Sequence, residues 1–207
     1  MLDATMRRLI DPPLDLMGRR LAARGIAADQ VTLAGAALGL AAAALIWAGW
    51  PVLALVPLLL SRLADGLDGA VARHNGRTDF GGFLDIASDF LFYGSVPLAF
   101  VLADAAGNGA AGAFLLAAFY FNGTSFLGYA VLAAKRGMET TAQGVKSLYF
   151  SNGLLEGTET ILFFVALCLF PAQFAPLAWI FGTLCYASAL ARIHAARRIF
   201  KTGKDQG

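Results

Sequence analysis

Six apolar stretches run along this chain: Val31 to Ala48, Val52 to Ala72, Phe83 to Ala103, Ala110 to Ala134, Leu154 to Phe170 and Phe174 to Ala191. Each is close to the roughly 20 helical residues that a bilayer core about 30 Å thick requires. Turn residues fall between them, at Gly49-Trp50-Pro51, at Gly107-Asn108-Gly109 and at Pro171 with Pro176. The pattern predicts an all-α polytopic membrane protein with six transmembrane helices, joined by loops too short to hold a second domain. Ahead of the first stretch, Leu2 to Arg24 interleaves Leu2, Met6, Leu9, Ile10, Leu14, Met17 and Leu21 with arginines. That reads as an amphipathic helix lying on the membrane surface. A tail that merely obeys the charge bias of cytoplasmic loops is the plainer alternative. The division is therefore a surface segment over residues 1–28 and a six-helix domain over residues 29–207.

Charge fixes the orientation. With six spans, both termini share one side with the loops after the second and fourth spans, and all 16 Lys and Arg of the chain fall on that side or at the span ends facing it. Lys and Arg are retained in cytoplasmic loops, so both termini belong in the cytoplasm. Composition agrees: 58% of residues are apolar, another 23 are Gly, and only 14% are charged, against about a quarter charged in soluble domains. A net charge of +2 lacks the dense basic face of a nucleic-acid binder. Cys168 and Cys185 lie in apolar runs and make neither a disulfide framework nor a CxxC metal site. Asp3, Asp11, Pro12 and Pro13 interrupt the first residues, which are not a cleaved secretory signal.

Against this background four carboxylates stand out. A carboxylate in a span costs a few kcal/mol on insertion scales and by default marks function. Asp65 and Asp68 close the second stretch, and Asp85 and Asp89 open the third. At 100° per residue Asp65, Asp68, Gly69, Ala72 and Arg73 share one helical stripe, and Asp85 and Asp89 are neighbours at i and i+4. Two helices joined by a short polar loop are antiparallel, so the four acids converge at one cytoplasmic end. Acids held together repel one another, and Arg62 and Arg73 compensate only in part. A hard divalent cation supplies the remainder, since carboxylate oxygens suit Mg²⁺, which binds them together with substrate phosphates. Gly66, Gly69, Gly81 and Gly82 remove side chains where a ligand approaches the backbone. Packing glycines, with carboxylates exposed beside Arg62, Arg73 and Arg77, are the structural alternative.

The spacing Asp-x-x-Asp-Gly-x-x-Ala-Arg, seven residues, then Gly-x-x-x-Asp-x-x-x-Asp resembles the signature of the CDP-alcohol phosphatidyltransferases. It is matched by Asp65, Asp68, Gly69, Ala72, Arg73, Gly81, Asp85 and Asp89. The resemblance covers most of the chain and is nearest to a bacterial inner-membrane branch. It implies six membrane helices with cytoplasmic ends and active site, membrane lipids around them, and a homodimer. It also implies a chemistry for phospholipid biosynthesis: a small or lipid alcohol attacks the β-phosphorus of a CDP-linked lipid donor, and CMP departs. By the same resemblance Asp65, Asp68, Asp85 and Asp89 are metal ligands for two Mg²⁺ ions, with Mn²⁺ as the alternative, and Asp89 is also the catalytic base. Gly69 and Arg73 would touch the CDP moiety, with Thr78 a further candidate in the loop. The family's Pro-Asn-x-x-Thr at the first span reads Ala28-Asp29-Gln30-Val31-Thr32 here, which leaves Asp29 and Thr32 as nucleotide contacts.

Acceptor choice lies outside the shared motif. Lys146 and Arg192 are placed to hold an anionic acceptor or to serve as anchoring charge. Glu156, Glu159 and Thr160 share one face at the start of the fifth stretch, either as acids favoured by the helix dipole or as part of an acceptor cavity. His74 and His194 receive no role, and Trp47 and Trp50 read as interface anchors. A small transporter using the carboxylates as an ion path is the competing function. Its acids belong near the midplane on broken helices in corresponding halves, whereas these sit at one end. A prenyltransferase with Asp-rich metal motifs is disfavoured by the Gly-x-x-Ala-Arg spacing.

Overall fold

A computed structural model describes residues 3–138 and 157–201. Its elements are α1 (Asp3–Ala22), α2 (Ala28–Trp47), α3 (Pro51–Asn75), α4 (Asp79–Ala103), α5 (Ala105–Lys135), α6 (Gly157–Leu169) and α7 (Phe174–Lys201), with a 3₁₀ turn at Pro171–Gln173 before α7. Every described element is helical, as the pattern predicts.

Each of the six apolar stretches overlaps a helix, yet among the described residues only four helical stretches are long and apolar enough to cross a bilayer: α2, α4, α5 and Pro171–Phe200. α3 is long but carries Arg62, Asp65, Asp68 and Arg73 in its second half, and α6 has 13 described residues. One predicted joint moves. Gly107-Asn108-Gly109 lies inside α5, because Asp104 caps that helix through Gly107 N–H at 3.0 Å and Asn108 Nδ2 donates to the Phe100 carbonyl at 2.9 Å. An aspartate at the N-cap starts a helix more strongly than two glycines end one.

Small residues let α2 approach α3 and α4 closely, the usual route to helix association in lipid. A Cβ at Gly35 would lie 3.1 Å from the Ala64 methyl, and one at Gly39 would lie 2.8 Å from the Phe92 ring. Ser61 Oγ donates to the Gly35 carbonyl at 2.7 Å and locks the register of α2 on α3. Below this seam lies the main core, where Phe92, Phe164, Leu58, Ile46 and Leu115 are fully buried and Phe163 stacks on Phe181 with centroids 4.0 Å apart.

The N-terminal segment is a helix, and it docks on the chain rather than standing apart. Leu14 and Gly18 are buried against α3: a Cβ at Gly66 would come within 2.8 Å of Leu14 Cδ1, and one at Gly18 would come within 2.6 Å of the Ala70 Cβ. Gly66, expected to clear space for a ligand, instead clears space for α1. Ile10, Leu16 and Met17 remain exposed. Gly25, at φ +77°, ends the turn after α1 in a conformation favoured by glycine. Asn75 Nδ2 donates to the Ile26 carbonyl at 3.0 Å, tying the end of α3 to the start of α2.

Candidate active site

The site grows from two helix ends. In α3, Asp65 and Asp68 stand on the side turned toward α2 and α4. In α4, Thr78 is the N-cap and accepts from Gly81 N–H at 2.9 Å, which sets the register that places Asp85 and Asp89 two and three turns in. Asp68 is buried, whereas Asp65, Asp85 and Asp89 are half-buried. Asp65 and Asp89 meet at one nitrogen of Arg62, 3.5 and 2.7 Å away, and Asp85 is near enough to act on Asp65 and Asp68 through its charge. The structure therefore brings the four predicted acids into one electrostatic group.

Two protein donors hold that group. Thr32 Oγ1, buried on α2, donates to Asp68 Oδ2 at 2.6 Å and also lies 3.2 Å from the Ala28 carbonyl. The threonine predicted as a nucleotide contact thus orients a carboxylate of the signature. Arg62, one turn below Asp65, places its Nη1 2.7 Å from Asp89 Oδ1 and 3.5 Å from Asp65 Oδ1, while Nη2 donates to Ser61 Oγ at 3.2 Å. Its guanidinium carbon lies 3.8 Å from the centroid of the Phe92 ring, a cation–π contact. A cleft between α2, α3 and α4 is lined by Thr32, Gly35, Ala36, Ser61, Arg62, Asp65, Asp68 and Ser88.

The glycines divide into two kinds. A Cβ at Gly81 would meet Thr78 Oγ1 at 2.9 Å and Asp29 Oδ1 at 3.1 Å, so this glycine is needed to seat α4 beside the start of α2. At Gly69 the nearest atom is Arg73 Nη1 at 4.0 Å, and at Gly82 nothing lies within 4 Å. A glycine inside a helix costs about 0.5–1 kcal/mol relative to alanine. No packing among the described residues offsets that at Gly69, which leaves an open surface on the acidic stripe. Arg73 has a carboxylate partner of its own outside the four acids: its Nε is 3.5 Å from Asp15 Oδ1 on α1, and His74 Nε2 is 3.3 Å from the same oxygen. Part of the charge expected to offset the cluster is thus drawn to α1. Thr78 is engaged as a helix cap, and Asp29 stands at the first turn of α2 beside Gly81.

Four carboxylates without a soft ligand fit a hard cation such as Mg²⁺ or Mn²⁺. As placed, however, they do not form a closed ligand set: among the described residues no three Asp, Glu, His or Cys side chains stand close enough to grip an ion. The reason is visible in the partners, with Arg62 between Asp65 and Asp89 and Thr32 on Asp68.

Elsewhere, Arg192 of α7 is buried and donates to the Asn122 carbonyl and Oδ1 at 3.1 and 3.0 Å and to Ser125 Oγ at 2.6 Å. It bridges α7 to α5. Glu159 lies in α6, whereas Lys146 and Glu156 lie outside the described residues. The residues that pattern reading left without a site role are Ser61, Ser88 and Asp15, and it gave Arg62 only a share in offsetting the acids' charge. Arg62 carried a signal, an arginine three residues before Asp65 within an apolar run.

The CDP-alcohol phosphatidyltransferase profile matches residues 25–193. The chain is 50% identical over 206 residues to the inner membrane protein YnjF of Escherichia coli, covering 100% of both chains. It is 36% identical over 92 residues to the archaetidylinositol phosphate synthase of Pyrococcus horikoshii, 44% of this chain and 49% of that one. Two crystal structures of Mycobacterium tuberculosis phosphatidylinositol phosphate synthase share the fold at 22% identity. One, in complex with manganese and citrate, has a TM-score of 0.64 over 88% of both chains. The other, with CDP-DAG bound, has a TM-score of 0.57 over 91% of this chain and 92% of that one. A signature complete from Asp65 to Asp89, on helices that gather its acids, and a profile match across most of the sequence make this chain a member of the CDP-alcohol phosphatidyltransferase family.

Proposed function

We propose that the chain transfers a phosphatidyl, or another substituted phosphoryl, group from a CDP-linked donor to an alcohol hydroxyl with release of CMP, and that the donor is CDP-diacylglycerol. The observation that carries this reading is the acidic group on α3 and α4 next to a helix face left open at Gly69. In this reading α3 and α6 complete six spans in a bacterial inner membrane, both termini and the site face the cytoplasm, and the protein is a homodimer. Residues 1–28 form the membrane-surface segment and residues 29–207 the catalytic unit. The solved relatives with CDP-DAG and with manganese support the choice of donor and of a divalent cation.

The division of labour follows the residues. Asp65, Asp68, Asp85 and Asp89 would hold Mg²⁺ or Mn²⁺, as two ions, which supply charge neutralisation at the phosphates and orientation of attacking and leaving oxygens. Gly69 lets the nucleotide approach α3, and Arg73 contributes positive charge at its edge. Asp29 stands at the nucleotide end of α2. Asp89 takes the hydroxyl proton as the alcohol oxygen bonds to the β-phosphorus and the bond from that phosphorus to the CMP oxygen breaks. Thr32 keeps Asp68 turned inward, and before an ion binds Arg62 holds one oxygen of Asp89 in place.

The test is CMP release by the purified protein with CDP-diacylglycerol and Mg²⁺, run against glycerol 3-phosphate, serine, inositol phosphate, phosphatidylglycerol and choline. Acceptor-dependent CMP release with one of them supports the reading. Release with none, or release dependent only on a soluble CDP-alcohol donor, overturns the choice of donor.

A further inference from the structure

Arg62 is an expensive residue in an unusual place. Its side chain is 9% exposed, and its Nε is buried without a hydrogen-bond partner. A buried charge is tolerated where it is paired, and the partners of Arg62 are two of the four signature acids, Asp89 at 2.7 Å and Asp65 at 3.5 Å. The Phe92 ring at 3.8 Å and Ser61 at 3.2 Å fix the guanidinium from the other side. It therefore stands as a fixed cation at the membrane-ward floor of the cluster. Asp68, whose donor is the neutral Thr32, has no paired Lys or Arg among the described residues.

We propose that Arg62 and a divalent cation are alternative partners of the Asp65 and Asp89 carboxylates, so that Arg62 sets how tightly the site holds its ion. The inference rests on the metal reading above and adds a competitor to it. Carboxylate oxygens turned toward a guanidinium at 2.7 Å are not turned toward a second cation, and two cations at such spacing repel strongly in a poorly solvated site. Ion binding must then loosen the Arg62 pair, and Phe92 gives the displaced guanidinium a face to rest on. The consequence is a site whose acids stay organised without the ion and release it readily.

The experiment is Mn²⁺ binding to the full-length protein in lipid nanodiscs, followed by electron paramagnetic resonance of free Mn²⁺, with no substrate present. Wild type, Arg62→Gln and Arg62→Lys are compared. Arg62→Gln is expected to bind Mn²⁺ about tenfold more tightly or better, because the competing charge is gone. Arg62→Lys keeps the charge but loses the forked, stacked geometry, so its gain should be smaller, about two- to fivefold. Mn²⁺ should also raise the melting temperature of Arg62→Gln more than that of wild type, since tighter binding stabilises more. Equal or weaker Mn²⁺ binding by folded Arg62→Gln overturns the proposal and makes Arg62 an organiser of the ligands. If Arg62→Gln is not recovered folded, Arg62→Lys decides by the same criterion. A wild type that binds no Mn²⁺ defeats the metal reading itself, an outcome separate from the other two.

Discussion

Two buried arginines divide this molecule into a half built for stability and a half built for chemistry. Arg192 on α7 donates to neutral acceptors on α5, Asn122 and Ser125, and together they join two long helices. Arg62 on α3 meets carboxylates on both sides and leaves Nε without a partner. Neutral partners satisfy a guanidinium without storing further charge. Carboxylate partners create a group whose charge can be redistributed when another cation or an anionic substrate arrives. The contrast says that polar residues in these helices are not equivalent: those between α5 and α7 join helices, and those at the α2–α4 end gather the acids to which the proposed function assigns the reaction.

The most severe way to break this contrast is to remove acids from the reactive half. Asp65→Asn and Asp85→Asn keep the shape of the side chain and delete its charge. Each is expected to lower CMP release by about 10³-fold or more while the protein remains folded, because the cation's contribution to transition-state charge is lost. Retention of more than about a tenth of the activity in either variant contradicts an ion-dependent site.

At Arg192 the expected loss is in stability. Arg192→Met strands the Asn122 and Ser125 acceptors inside the bundle, at about 1–3 kcal/mol for an unsatisfied buried group. A clear fall in melting temperature is expected, with acceptor and donor KM unchanged in the folded fraction. The comparison breaks if the melting temperature holds and the acceptor KM rises, which would return Arg192 to the acceptor-binding role that its charge and position first suggested.

Thr32 tests how far the reactive half extends into α2. Its hydroxyl reaches Asp68 at 2.6 Å, so Thr32→Val removes an orienting bond while keeping the volume. Outer partners of metal ligands are typically worth about 10- to 100-fold in affinity or activity, and a loss near the lower end is expected in Mn²⁺ affinity. An unchanged affinity would confine the site to α3 and α4.

The gathering of the four acids was legible because the signature is local. Asp65, Asp68 and Gly69, and separately Asp85 and Asp89, sit on single helices, where the 3.6-residue period alone assigns faces. Their convergence needed only a short connection between antiparallel neighbours. What escaped were contacts between elements distant in sequence. The docking of α1, which converts Gly66 into a packing glycine and gives Arg73 a carboxylate partner, depends on Leu14 and Gly18 meeting α3. The reach of Arg62 to Asp89 depends on a long side chain crossing to another helix. The glycines at 107 and 109 read as a joint because glycine is the commoner turn signal, but the Asp104 cap outweighs them.

The smallest expected effect sharpens the contrast most. Arg73 and Asp15 are each close to half exposed, at 41% and 48%, and exposed pairs are worth only about 0.2–1 kcal/mol. Asp15→Asn should therefore leave the melting temperature almost unchanged. If Arg73 contributes its charge to an anionic nucleotide, the Asp15 carboxylate competes for that charge, as Arg62 and the ion compete for Asp65 and Asp89. Removing it should then lower the donor KM, and the energy of such a pair limits the gain to about two- to fivefold. The paired variant Arg73→Gln should raise the donor KM, and in its background Asp15→Asn should have no further effect, since the shared partner is gone. A donor KM that rises in Asp15→Asn would mean that α1 positions Arg73 instead of restraining it. A donor KM indifferent to both substitutions would place the nucleotide away from Arg73, leaving the α1 contact as packing alone.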